Sequence, residues 1–203
     1  MSKQEMPHVR RPLRAAFIGW GAINVRVGAL LAQRNAAVEI VGIATIDTPE
    51  NRAAIPREVH FLAAPSELAS LRPDLVVEAA GRAAIDMWAE AALLAAPAMI
   101  IASTSAFCDD ALLARLTAVA EQHGSRIFIP SGAIGAVDAL ASAAVLGLDE
   151  VTHQIVKPPA RGAFGRLEIL LENNPLATNP KSSELTALSL VRLIEHQTKM
   201  VIV

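Results

Sequence analysis

The chain has 203 residues, 53% hydrophobic and 19% charged, with a formal net charge of -2; this globular composition is enough for one full α/β domain and a smaller second one, but not for two full-sized domains. A near-neutral balance, 3% aromatic residues and no tyrosine leave nothing to attract or stack nucleic acid, so no nucleic-acid partner is expected. Cys108 is the sole cysteine, which excludes an intrachain disulfide and a cysteine-based zinc site; with no apolar leader and no long apolar run, no membrane partner is expected and a cytoplasmic location is.

After a polar leader carrying Arg10, Arg11 and Arg14, read as a solvated tail, Ala15 to Ile18 is a short apolar run ending in Gly19, the pattern of a buried parallel strand. Ala22 to Asn35 follows as a helix, with Ile23, Val27, Leu30 and Leu31 on one side, and Val38 to Ala44 as a second strand, which makes one βαβ unit. The alternation continues: Leu75 to Ala79 as strand, Ala83 to Ala95 as helix, Met99 to Ala102 as strand, Asp110 to His123 as a helix stopped by Gly124, and Arg126 to Ile129 as strand before Pro130. Strand and helix alternating with short turns predict an open parallel sheet with helices on both faces.

From Pro130 the rhythm changes. Ala133 to Leu146 reads as an alanine-rich helix, Glu150 to Val156 as an alternating strand and Arg166 to Glu172 as another. Asn173 to Pro180 reads as a loop, and Ser182 to Glu195 as a helix with a serine cap and Glu184 in its first turn. The fold class is therefore α/β: a parallel-sheet domain over residues 14–130, and a reduced α+β domain over 131–203 whose last helix is placed to pack back on the first.

The strongest local chemical signal is Gly19-Trp20-Gly21-Ala22-Ile23-Asn24, set between a predicted strand and a predicted helix. Gly19 permits a tight turn, Gly21 lets backbone approach a pyrophosphate, and the helix start at Ala22 and Ile23 offers free N–H groups and a positive dipole end. That is the fingerprint of a Rossmann-type dinucleotide site, with Asn24 where a third glycine usually stands. Asp47, just past the second strand, is read either as the carboxylate that receives the ribose hydroxyls or as a cap of the following turn. Ala80 and Gly81 follow one strand and Ser103 another, at the carboxyl ends where an open sheet keeps its ligand crevice; the alternative is that they only form turns.

Arg126 to Leu140, reading Arg-Ile-Phe-Ile-Pro-Ser-Gly-Ala-Ile-Gly-Ala-Val-Asp-Ala-Leu, closely resembles the signature of the L-aspartate dehydrogenase family. Gly19 to Ile23, Glu78 to Gly81, Ser103 to Asp109, Lys157-Pro158-Pro159, Glu172 to Leu176 and Asn179 to Ser183 support it in order. The resemblance runs from Arg14 to Ile194. It implies oxidation of L-aspartate with NAD or NADP to iminoaspartate, which hydrolyses to oxaloacetate and ammonia or enters NAD biosynthesis. The chemistry it implies is hydride transfer from the substrate α-carbon to the nicotinamide ring. It also implies that Ala133 touches the cofactor, that Ser131 lines the crevice for substrate, and that the protein is a homodimer built through a substrate-domain sheet.

The resemblance breaks between Lys157-Pro158-Pro159 and Gly162, where only Ala160 and Arg161 stand in place of several dozen family residues. The junction reads as an excision that removes a cofactor-binding asparagine and the histidine proposed as acid/base, so no catalytic residue is assigned. His153 is read as structural, and His8, His60, His123 and His196 receive no role; His60 is placed in a loop before a strand. Lys157, Arg161 or Arg166 could pair with a substrate carboxylate, Lys157 being preferred, against the alternative of solvated surface cations. Two other functions stay open: a dinucleotide-binding but inactive shortened homologue, and a homoserine dehydrogenase-like enzyme.

Overall fold

The computed structural model describes residues 11–131, 175–176 and 179–198. In chain order the elements are β1 (Leu13–Ile18), α1 (Ala22–Gln33), β2 (Val38–Ala44), α2 (Pro49–Ala53), β3 (His60–Phe61), α3 (Leu68–Leu71), β4 (Leu75–Glu78), α4 (Arg82–Ala95), β5 (Ala98–Ile101), α5 (Asp110–His123) and β6 (Arg126–Phe128). They are followed by β7 (Pro175–Leu176), β8 (Asn179–Ser183) and α6 (Glu184–Thr198).

Six strands form one sheet in the order β3-β2-β1-β4-β5-β6, with every neighbouring pair parallel. The chain builds outward from β1 to β3, then crosses back and builds the other way from β4 to β6. That reversal places the switch point of a Rossmann sheet between the carboxyl ends of β1 and β4. β4 and β5 are buried along their whole length, which is why their sequences are continuous apolar runs rather than alternating ones.

Successive residues of a strand point to opposite faces, and β1 divides accordingly. Ala16 and Ile18 join Val76, Met99 and Ile101 under Ile85, Trp88 and Leu93 of α4 and Leu112 and Leu116 of α5. Ala15 and Phe17 join Ile43, Val77 and Ile100 under Val27, Leu30 and Leu31 of α1, together with Ala187, Leu190, Val191 and Ile194 of α6. The last helix thus completes the core on the α1 face. Arg34, at the end of α1, donates to Glu195 of α6 through Nε at 2.5 Å and Nη2 at 2.9 Å.

Helix ends follow local chemistry. α1 stops at Gln33 rather than at Asn35 because Asn35 adopts φ 47°, and the N–H groups of Asn35 and Ala36 return to the carbonyls of Ala32 and Leu31 at 3.1 and 3.0 Å, the hydrogen-bond pattern of a Schellman end. α5 is capped by Asp109, whose carboxylate accepts from the N–H groups of Ala111 and Leu112, and ends at Gly124 with φ 66°.

Several expectations change. His60 lies within β3, paired with Gly42, and not in a loop ahead of a strand; a two-residue edge strand is too short to carry a period. The stretch predicted as a loop, Asn173 to Pro180, contributes β7 and the start of β8, which pair antiparallel. Ser182 and Ser183 belong to β8, so the final helix starts at Glu184. The predicted helix Ala133 to Leu146 and the strands Glu150 to Val156 and Arg166 to Glu172 lie outside the described residues.

Candidate functional site

The site is built where the turns after β1, β2, β4 and β5 meet at the carboxyl edge of the sheet. Gly19 has φ +90°, a conformation that side chains rarely adopt. A Cβ there would lie 2.7 Å from Ala80 Cβ and 2.9 Å from the Ala79 carbonyl oxygen. The glycine is therefore required twice, for the turn and for the contact between the β1 and β4 turns. Its N–H donates to the Ala44 carbonyl at 2.7 Å, which draws the end of β2 to the same place.

Gly21 differs. It is the N-cap of α1 in extended conformation, φ -90° and ψ -170°, and a Cβ added there meets nothing within 4 Å. α1 has no side-chain cap and no acidic residue in its first turn, so the backbone N–H groups at its start lack the acceptor a helix N-terminus normally finds. Open space in front of uncapped donors at the positive end of a twelve-residue helix suits an anionic diphosphate. Ala22 and Ile23 form that first turn.

Asn24 occupies the third position of the glycine motif and is fully buried. Its Nδ2 donates to the carbonyls of Gly19 at 2.7 Å and Ile18 at 3.3 Å, so the amide clamps the turn from the helix side. Trp20 fixes it from outside: its Nε1–H donates to the Ala54 carbonyl at 3.1 Å, its ring meets Phe17 edge-on at 5.7 Å, and its edge covers Gly28 of α1.

Glu78, the last residue of β4, is also fully buried. Its Oε1 accepts from the N–H groups of Ala80 at 2.6 Å and Gly81 at 2.9 Å and from the Ser103 hydroxyl at 2.7 Å. Its Oε2 accepts from Ser103 N–H at 3.1 Å. Four donors converge on one carboxylate, which locks the β4 turn to the β5 turn. Ala80, Gly81 and Ser103 are accordingly at the predicted edge, but the hydroxyl proton of Ser103 is committed to Glu78. Gly81, with φ +117° and open space around a notional Cβ, caps α4.

Asp47 stands three residues beyond β2 and does not cap α2: that role belongs to Thr48, whose Oγ1 accepts from Asn51 N–H at 3.3 Å. Both oxygens of Asp47 instead accept from Arg52, through its Nε and Nη2. The Arg52 guanidinium lies 4.0 Å over the Phe61 ring. Arg52 holds the Asp47 carboxyl below its ordinary range, against a smaller opposing effect of desolvation.

Ser131 follows β6 and is half-buried at the same edge. Ala133 and Lys157 lie outside the described residues. Asn24 and Glu78 are the functional positions that sequence reasoning underused. The signal for each was a lone polar residue inside an apolar stretch, on the inner side of α1 and at the end of β4. Among the described residues no three His, Cys, Asp or Glu side chains gather as a metal site, and no helix is long and apolar enough to cross a membrane.

Known proteins agree with this geometry. Residues 19–130 match the family model described as homoserine dehydrogenase, NAD binding domain, and residues 150–197 match the one described as aspartate dehydrogenase, C-terminal. An L-aspartate dehydrogenase of Brucella anthropi is 34% identical over 260 aligned residues, covering 92% of this chain and 97% of the relative. Since 92% of 203 residues is about 187, some 70 of those aligned positions hold no residue of this chain. L-aspartate dehydrogenase 1 of Bordetella pertussis is 39% identical over 148 residues, 73% of this chain but 56% of the relative, so the chain spans about half its length. A homoserine dehydrogenase structure from Thiobacillus denitrificans superposes with a TM-score of 0.51 at 18% identity, over 66% of this chain and 34% of that one, which bears on fold alone. With a nicotinamide-type glycine turn at the switch point of a 3-2-1-4-5-6 sheet and a full-length relative at this identity, the chain belongs to the L-aspartate dehydrogenase family.

Proposed function

We propose that this chain binds NAD or NADP across the switch point and oxidises L-aspartate to iminoaspartate. The single observation that carries the binding half is the uncapped start of α1 facing empty space at Gly21. In this reading the diphosphate accepts from the N–H groups of Ala22 and Ile23, and the adenosine ribose lies toward Asp47. Gly81, Ala80 and Ser103 form the opposite wall. When bound, the nicotinamide ring supplies the hydride acceptor. The residues of this chain hold and orient the reactants so that encounter becomes intramolecular. Ser131, Ala133 and Lys157 complete the substrate side in the proposal, Lys157 facing a substrate carboxylate. Residues 14–130 act as the cofactor domain and 131–203 as a reduced substrate domain, in a cytoplasmic homodimer.

A specific observation favours a second reading. The Brucella relative has about 70 aligned positions with no counterpart here, so dinucleotide binding without turnover follows if those positions carry the acid/base group. Calorimetric titration of NAD and NADP, paired with an assay of aspartate-dependent NAD(P) reduction, separates the two. Binding with turnover supports the dehydrogenase, binding without turnover supports the inactive homologue, and absence of binding refutes both.

A further inference from the structure

The ribose end of the crevice carries a feature that the diphosphate turn does not explain. Asp47 and Arg52 form a two-point ion pair, yet both side chains are more than half exposed, at 59% and 51%. The pair is also held in place. Arg52 rests on the Phe61 ring of β3 at 4.0 Å, and α2, which carries Arg52, is followed directly by Ala54, whose carbonyl accepts from the indole of Trp20 inside the glycine turn. A single chain of contacts thus fixes Arg52 relative to the turn that would seat the diphosphate. Asp47 itself follows β2, whose end is drawn to Gly19 by the hydrogen bond from Gly19 to Ala44.

We infer that the Asp47–Arg52 pair is the element that sets the choice between a ribose 2′-hydroxyl and a ribose 2′-phosphate, each partner opposing the other. This rests on the dinucleotide reading given above. A carboxylate accepts hydrogen bonds from vicinal ribose hydroxyls and repels a phosphate, whereas a guanidinium does the reverse. Paired, their charges cancel and both oxygens of Asp47 are engaged. Nη1 of Arg52 takes no part in the pair and remains available to a phosphate oxygen. Breaking the pair from either side therefore releases the other partner's preference. This differs from a lone acidic residue after β2, for which only loss of the acid would matter.

The experiment is calorimetric titration of the full chain, wild type, Asp47→Asn, Arg52→Gln and Arg52→Lys, with NAD and with NADP at fixed ionic strength. Asp47→Asn should move the ratio of NADP to NAD affinity about tenfold or more toward NADP, and Arg52→Gln by a similar factor toward NAD. Arg52→Lys, which keeps the charge, should lie between wild type and Arg52→Gln. Equal changes for both cofactors, or shifts of the two variants in one direction, overturn the inference while leaving the dinucleotide reading intact. Wild-type chain that binds neither cofactor removes that reading and the inference with it. Thermal melting of each variant identifies a loss of binding that comes from a lost fold.

Discussion

Gly21→Ala separates a binding role from a folding role at one methyl group. Gly21 is extended, with φ -90° and ψ -170°, a conformation open to alanine, and the new Cβ meets nothing within 4 Å. The fold should therefore keep its stability or gain about 0.4–1 kcal/mol from a less flexible unfolded chain. The methyl group would occupy the space in front of the α1 donors. Displacing the diphosphate enough to lose one charge-assisted hydrogen bond costs about 1.5–3 kcal/mol, or about 10- to 150-fold in Kd. Gly19→Ala is the contrasting control. Its φ of +90° and backbone contacts of 2.9 Å predict destabilisation by about 2–4 kcal/mol, combining strained backbone with overpacking. Thermal melts and calorimetric titration of NAD and NADP on both variants give the answer. If Gly21→Ala binds both cofactors as wild type does, the diphosphate is not seated at this turn; if it melts well below wild type, the space at Gly21 is not open.

Glu78→Gln places an amide nitrogen against a site where every neighbour is a donor; leaving buried donors unpaired should cost about 1–3 kcal/mol in chemical denaturation, and unchanged stability would refute the clamp. Leu190→Ala, in a fully buried position of α6, should cost about 2–5 kcal/mol, and an effect below 1 kcal/mol would mean that α6 is not part of the α1-side core. Asp74 accepts from Arg11 at 2.6 and 2.7 Å and from Arg14 N–H at 2.9 Å. Arg11 chiefly, through hydrogen bonding, holds its carboxyl below the ordinary 3.8. A depressed folded-state value contributes stability that is complete above the unfolded value and lost as pH falls through the folded one. The melting difference between wild type and Asp74→Asn should therefore persist from neutral pH down to about pH 4 and close below it. A difference that vanishes by pH 6 would contradict this assignment.

The strands and long helices of the first domain were legible because each carries a full period of its pattern. β2 and α5 match their predicted spans, and the others differ by one to three residues at an end. The segment between Thr45 and Asp74 was opaque for a physical reason: α2, β3 and α3 span two to five residues each, less than the stretch over which a hydrophobic period can be recognised. The glycine turn was legible from Gly19 and Gly21, since the backbone need is written directly as glycine. What holds that turn was not. Asn24 replaces a residue defined by having no side chain, and only coordinates reveal that its amide reaches the Gly19 and Ile18 carbonyls. The Asp47 ambiguity persisted for a similar reason, because an acid near a helix start is compatible with a cap, and it took Thr48 in the cap position to free Asp47 for Arg52.

Two helices, α1 and α4, begin at the switch point, and their dipoles alone would make either a place for an anion. The sequence resolves this degeneracy through the placement of a single carboxylate. Glu78 is buried directly ahead of α4 and draws in the N–H groups of Ala80 and Gly81, so an acidic group already stands at that helix start and a diphosphate would meet its repulsion. Nothing equivalent precedes α1, where the cap is a glycine and the polar side chain nearby, Asn24, turns inward and donates to carbonyls. Asn24 tightens the turn without adding negative charge, whereas an aspartate there would face the Gly19 and Ile18 carbonyl oxygens and the incoming phosphates together. The asymmetry between a neutral amide at one turn and a carboxylate at its neighbour directs the diphosphate to α1, and leaves the α4 side as a rigid wall on which the rest of the dinucleotide can lie.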